Sequence, residues 1–136
     1  MKNKTKNTTT EIGRYGEDIA CDYLKSKRYK IIERNFHASH NEIDIIAQNK
    51  EYIVFVEVKT RTLDPNSPLQ YGTPATAVTY SKQKRTLVAA QTYLHEHRID
   101  KIPRLDVIEI YLSKTDGNEK PAVVNINHME DAFSVS

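Results

Sequence analysis

The chain has a single cysteine, Cys21, so it can form neither an internal disulfide nor a cysteine-ligated zinc site. No run approaches the roughly 18 apolar residues that cross a bilayer, and the opening "MKNKTKNTTT" lacks the apolar core of a signal peptide. A cytoplasmic protein without membrane contact is the expectation. An excess of one charge is also missing, since 20 Lys and Arg stand against 18 Asp and Glu for a formal net charge of +2. That balance by itself names no nucleic-acid partner. Internal repeats are absent too.

What is present fits one soluble domain: 136 residues, 38% hydrophobic and 28% charged, long enough for an independent core. Residues 1–10 are polar, carry Lys2, Lys4 and Lys6, and are expected to be a disordered basic tail before a single domain over 11–136. From Glu11 to about Lys27, Ile12, Ile19, Ala20, Tyr23 and Leu24 recur at helical spacing, with Thr10 as the expected N-cap. A second helix is predicted from Thr79, with Leu87, Ala90, Tyr93 and Leu94 on one face. "YKIIERNF", "NEIDIIA", "YIVFVEVKTR", "RLDVIEIYL" and "AVVNINH" read as five strands. "TDGN" (115–118) carries turn chemistry, and "TLDPNSPLQYGTP" (62–74) is the one long loop. The predicted order is α-β-β-β-loop-α-β-β, an α/β fold with a mixed central sheet flanked by helices.

The strand faces carry the functional signal, because side chains alternate with period two. In "YIVFVEVKTR" the even positions Val54, Val56 and Val58 are all apolar, whereas the odd positions run Ile53, Phe55, Glu57, Lys59, Arg61. One face turns from apolar to charged halfway along, as expected of a central strand that leaves its helix cover and opens onto a cleft. In the preceding strand Glu42 and Asp44 share one face and Ile43, Ile45 and Ala47 are expected on the other. If the two strands pair as a hairpin around "QNKE", Asp44 and Glu57 converge. Two half-buried carboxylates repel each other, and burial raises the cost of ionising both. A cation between them resolves the conflict, and Mg²⁺ or Mn²⁺, held by one or two carboxylates with waters and substrate phosphates, suits the oxygen ligands. Lys59, about 6–7 Å further along the same face, can then reach an attacking water or a phosphate oxygen. The bland alternative is that the acids are ion-pair partners of Lys59 and Arg61.

These residues carry a resemblance. "EID" followed by "VFVEVKTR" resembles the D…ExK core of the PD-(D/E)XK nuclease superfamily. "GRYGEDIACDYL", "YKIIERNF", "NEIDIIA", "VFVEVKTR", "YGTPATAV", "KQKRTLVAAQTYL" and "RLDVIEI" together resemble the YraN-like family of small bacterial proteins with an endonuclease-like fold. The resemblance covers about residues 11 to 133. It implies a restriction-endonuclease-like fold, a site made of Glu17, Asp44, Glu57 and Lys59, and a polar helix residue at Lys82. Asp44, Glu57 and the Val58 carbonyl are the expected metal ligands. Two positions depart from the family pattern: Asn41 stands where Gly is common before "EID", and is read as tolerating the turn geometry. Tyr80 replaces a proline at the start of the second helix.

Phosphate contacts beyond the cleft are expected from Arg61, Lys82, Lys84 and Arg85, the last three at a helix start where basic side chains and backbone N–H groups favour phosphate oxygens. Tyr71 and Gly72 in the long loop are expected to add shape. Asp106 reads equally as an acid supporting the site or as a strand-end charge. His37 and His40, in loop-like surroundings, are expected to face solvent. The implied activity is Mg²⁺-dependent hydrolysis of nucleic acid, DNA before RNA, in a repair or recombination assembly. Its rivals are a nucleic-acid-binding module without turnover and a protein scaffold in which the acids serve stability. A homodimer is left open.

Overall fold

A computed structural model describes residues 9–64, 79–116 and 119–133. Two helices, α1 (Thr9–Ser26) and α2 (Tyr80–His97), accompany five strands: β1 (Lys30–Ala38), β2 (Asn41–Gln48), β3 (Tyr52–Leu63), β4 (Ile102–Ser113) and β5 (Val123–Met129). The order α-β-β-β-α-β-β is the one the sequence predicts. Helix α1 includes Thr9 and Thr10, so Thr10 lies within the helix instead of capping it; the rest of the expected tail, 1–8, lies outside the described residues, as do Tyr71, Gly72 and half of the "TDGN" turn. No described helix is long and apolar enough to cross a membrane.

The strands form one sheet in the order β1-β2-β3-β4-β5. Neighbours are antiparallel except β3 and β4, which run parallel over the whole of Tyr52–Leu63 against Ile102–Ser113. A parallel pair cannot be closed by a tight turn and requires a crossover, which the segment containing α2 provides. With helices on both faces, the central strands are buried on both sides. Val54, Val56, Ile108, Ile110 and Leu112 pack toward Ala20, Cys21 and Leu24 of α1, while Ile53, Phe55 and Leu105 pack with Ala89, Ala90 and Tyr93 of α2. This double burial accounts for β3 and β4 reading as nearly unbroken apolar runs.

One expectation about β2 fails. Ile43 packs in the α2-side cluster with Phe36, whereas Ile45 and Ala47 pack on the α1 side, so the three residues do not share a face. The hydrogen-bonded ladder between β2 and β3 runs only from Gln48↔Ile53 to Ile45↔Val56, and β1 carries a left-handed residue, Asn35 (φ 53°), in the same region. Beyond Ile45 the β2–β3 ladder stops while β1 and β2 stay paired as far as Ala38↔Asn41, so Asp44 sits where the sheet splits. The turn between β1 and β2 places Ser39, not Asn41, in the left-handed region (φ 62°), so Asn41 needs no glycine-like backbone.

Candidate functional site

Continuing the β2–β3 register one step past Ile45↔Val56 sets Asp44 opposite Glu57. The split leaves the Val58 N–H without a ladder partner from β2, and this N–H donates to Asp44 Oδ2 at 2.8 Å. Asp44 is thereby fixed as a side-chain substitute for a strand carbonyl. Glu57, next along β3, is 5% exposed. Its Oε2 lies 3.7 Å from Lys59 Nζ and 3.6 Å from Lys82 Nζ, while its Oε1 is buried with no hydrogen-bond partner among the described residues.

Each side chain arrives from a different element for a local reason. Lys59 follows Glu57 on the same face of β3 through period-two alternation. Lys82 belongs to the first turn of α2, where the Thr79 hydroxyl accepts from the Lys82 N–H at 3.2 Å and caps the helix despite Tyr80 in the position of a proline. Four residues on, Thr86 is buried, so Lys82 begins the inner face of α2 and Lys84 and Arg85 fall on its exposed side. Glu17 comes from α1 on the opposite face of the sheet. Its neighbour Gly16 explains its approach: a Cβ at Gly16 would overlap the Thr60 hydroxyl and come within 3.0 Å of Thr60 Cβ and Cγ2. Only a residue without a side chain lets α1 lie this close to β3. Arg34 of β1 holds Glu17 from the other side at 3.5 Å and also pairs with Asp18 at 2.9 Å.

Glu17, Asp44, Glu57, Val58 and Lys59 line one cleft of about 560 Å³, with Thr60, Thr62, Lys114 and Pro121 among the other walls. Burial, then the Glu57 charge and more weakly Glu17, raise the Asp44 carboxyl from its ordinary 3.8 to about 7, against the Val58 N–H and Lys82. Burial also raises Glu57, although Lys82 and Lys59 both oppose the shift. The pair therefore holds less negative charge at neutral pH than two free carboxylates would. Among the described residues no three His, Cys, Asp or Glu side chains converge as a ready-made metal cage. A cation here would rest on two carboxylates, a backbone carbonyl and water, a donor set of hard oxygens that fits Mg²⁺. The unpartnered, buried Glu57 Oε1 is the atom such a cation would satisfy.

The remaining sequence candidates fall elsewhere. Arg61 Nε lies 3.4 Å from Glu109 Oε2, so its guanidinium is tied to a fully buried acid, although Nη2 is buried without a partner among the described residues. Lys84 lies over the Tyr80 ring at 5.0 Å, and Arg85 is exposed. Asp106 is fully buried on the α1 side and is not a wall of the cleft. Arg104 holds it through two bonds of 2.9 Å, His128 Nε2 lies at 2.7 Å and the Asp131 N–H donates at 3.0 Å. Burial alone would raise the Asp106 carboxyl, but His128, Arg104 and the Asp131 N–H hold it below its usual range. It is thus neither a strand-end charge nor part of the site but the centre of a buried network. His37 is exposed, 3.8 Å from Glu42.

Sequence reasoning missed Glu109. It is paired with Lys59 across β3–β4 and is fully buried, receiving Tyr111 Oη at 3.1 Å and Asn127 Nδ2 at 3.0 Å in addition to Arg61. Its signal was the one used for Glu57: an acid alternating with apolar Val107 and Tyr111 inside a strand.

Comparison with known proteins agrees with this chain throughout its described core. The chain is 42% identical over 134 residues to a UPF0102 protein of Caldanaerobacter subterraneus subsp. tengcongensis, covering 98% of this chain and 100% of the relative. It is 44% identical over 127 residues to one from Clostridium botulinum, covering 92% and 95%, and 41% identical over 125 residues to one from Syntrophotalea carbinolica, covering 91% and 92%. The uncharacterised protein family UPF0102 matches residues 16–110, the span that contains Glu17, Asp44, Glu57, Lys59 and Lys82. With the motifs, the element order and these relatives in agreement, the chain belongs to the UPF0102 family, the YraN-like family.

Proposed function

We propose that this protein is a divalent-cation-dependent nuclease that hydrolyses phosphodiester bonds of nucleic acid, with DNA handled in repair or recombination as the setting. The observation that carries the reading is Glu57. A buried carboxylate with one unpartnered oxygen, beside a second acid of raised proton affinity and two lysines, is costly for stability and useful for holding a cation. Asp44, Glu57 and the Val58 carbonyl would hold Mg²⁺ or Mn²⁺, with Glu17 at the rim. When bound, the cation supplies Lewis-acid stabilisation of phosphoryl oxygens and makes hydroxide available near neutral pH.

The chain's own groups do the rest. Lys59, a compact ammonium on the cleft wall, orients the attacking water and stabilises charge on the phosphate as the bond breaks. Lys82 places a second positive charge at the start of α2, where helix N–H groups also favour phosphate oxygens. Lys84 and Arg85, exposed on the outer side of the same turn, meet flanking phosphates and set affinity without reading sequence. Arg61 acts through Glu109, which fixes its guanidinium beside Lys59, more than as a loose phosphate contact.

The test is a panel of branched, flapped, single-stranded and duplex substrates, DNA and RNA, with Mg²⁺, Mn²⁺ or EDTA. The expected result is cleavage of at least one substrate by the wild type, lost in EDTA and in Glu57→Gln. Salt-dependent binding with no cleavage of any substrate would favour a non-catalytic nucleic-acid module. Absence of both binding and cleavage would leave the acids to stability.

A further inference from the structure

Helix α1 contains two glycines, Gly13 and Gly16, and packing explains only the second, which lies against Thr60. At Gly13 the backbone is helical, and an added Cβ would meet no atom of the described residues within 4 Å. A glycine inside a helix is less favourable than an alanine, so neither the helix nor the core accounts for it. The space a side chain would fill there is the cleft, because Gly13 is one of the walls shared with Glu17, Asp44 and Glu57.

This cleft is divided by charge. Its three acids gather where the sheet splits. From there it follows β3 to Thr60 and Thr62, even positions that share the α1 side with Val54 and Val56, and it reaches Ser113 and Lys114 at the end of the β3–β4 ladder. Glu57 and Thr62 are about 16 Å apart at the rise of a strand. Along this arm the described walls include hydroxyls and one cation but no carboxylate. Lys114 is exposed and pairs with Asp64 at 3.5 Å, a weak surface pair that leaves the ammonium able to meet a phosphate. Tyr15 Oη donates to the Pro121 carbonyl at 3.0 Å and so fixes Pro121 as a wall of the same arm.

Hydroxyls and a lysine meet phosphate and sugar oxygens without reading bases. The whole cleft, about 560 Å³, has the size of a site that encloses a small ligand. A nucleotide or two enter such a space, whereas a double helix, which spreads over on the order of 1,000 Å² of protein surface, does not.

We propose that the arm from Thr60 to Lys114 is a subsite for an unpaired nucleotide next to the scissile phosphate, and that Gly13 keeps α1 bare so that the sugar-phosphate backbone passes along it. The inference rests on the nuclease reading of Glu57 and adds a substrate class to it: a single-stranded segment, in a free strand, a flap or a junction arm.

Binding tests the subsite apart from the chemistry. The probes are a short fluorescein-labelled oligothymidylate and a blunt duplex, read by anisotropy in EDTA, where cation-dependent cleavage stops, and with Mg²⁺. Gly13→Gln fills the open space with a helix-favouring side chain. Its melting temperature should equal or exceed that of the wild type, while its affinity for the single strand falls at least about tenfold. Thr62→Val, which removes a hydroxyl at an exposed strand position, should weaken single-strand binding roughly threefold to tenfold. Duplex binding should be the same in all three proteins. Should Gly13→Gln melt below the wild type, Thr62→Val decides, and an unchanged single-strand affinity there overturns the proposal. A wild type that binds no single strand in either condition, a folded Gly13→Gln that binds it like the wild type, or an equal loss of single-strand and duplex binding would also overturn it. If Gly13→Gln loses the single strand but the wild type cuts nothing with Mg²⁺ or Mn²⁺, the subsite stands and the nuclease reading falls. If the wild type cuts and Gly13→Gln binds and cuts equally well, the subsite alone falls.

Discussion

Replacing Asp44 by Asn should stabilise the metal-free protein at alkaline pH, the reverse of the usual effect of removing a well-placed strand residue. Asn keeps an oxygen to accept from the Val58 N–H and removes the charge that burial and Glu57 oppose. A carboxyl raised from 3.8 to about 7 binds its proton more tightly folded than unfolded. Its contribution to stability is therefore complete below pH 3.8 and is lost as pH rises through 7. At about 1.4 kcal/mol for each tenfold change in proton affinity, the full loss is roughly 4 kcal/mol, and about 2–4 kcal/mol allows for water reaching the open side of the cleft. Urea unfolding of wild type and Asp44→Asn in EDTA at pH 4.5, 6 and 8 reads the difference directly. The variant should lie within about 1 kcal/mol of the wild type near pH 4.5 and exceed its stability by that amount at pH 8. Asp106 titrates with the opposite sign, its stabilisation fading as pH falls, but it is common to both proteins and cancels. A cation at 100 times its dissociation constant should return about 2.7 kcal/mol to the wild type and nothing to the variant. A pH-independent difference, or a variant less stable than the wild type at pH 8, would refute the reasoning.

Three further outcomes are expected. Gly16→Ala should destabilise the protein by about 1–3 kcal/mol through overlap with Thr60, and Gly16→Ala/Thr60→Ala should recover much of that in thermal melts. Asp106→Ala should cost about 3–5 kcal/mol by leaving Arg104 and His128 without their shared buried anion, measured by the same urea unfolding at pH 7. Lys84→Ala/Arg85→Ala should weaken nucleic-acid binding and flatten its dependence on log salt concentration while leaving the melting temperature unchanged.

The core of the site could be read from local pattern. Period-two alternation picked out Glu57 and Lys59 because a strand face that turns from apolar to charged is visible in one dimension, and hairpin pairing brought Asp44 to Glu57. Glu17 was legible only through the resemblance, since a helix residue at the border of an apolar face looks like any surface acid. The Gly16–Thr60 contact that brings it in depends on helix-on-sheet packing. Lys82, too, stood out only through the resemblance; within its run of charges it is the helical phase fixed by Thr79 and Thr86 that separates it from Lys84 and Arg85. The split at Asp44 escaped because Ile43 and Ile45 fall in different clusters although they alternate regularly in sequence. The partners of Asp106 and Glu109 come from β3, β4 and β5 at once, and no periodicity says which basic group a buried acid will choose.

The claim that matters most is that residues 57–59 perform chemistry, and Lys59→Ala under single-turnover conditions tests it most directly. With a substrate that the wild type cuts, and with both proteins purified identically to exclude contaminating nuclease, nucleic-acid affinity should be retained. The cleavage rate should fall by a factor on the order of 10² or more, the scale of removing one group that stabilises developing charge. Equal cleavage rates for wild type and Lys59→Ala would contradict the account and return the charged half of this strand to a role in stability alone.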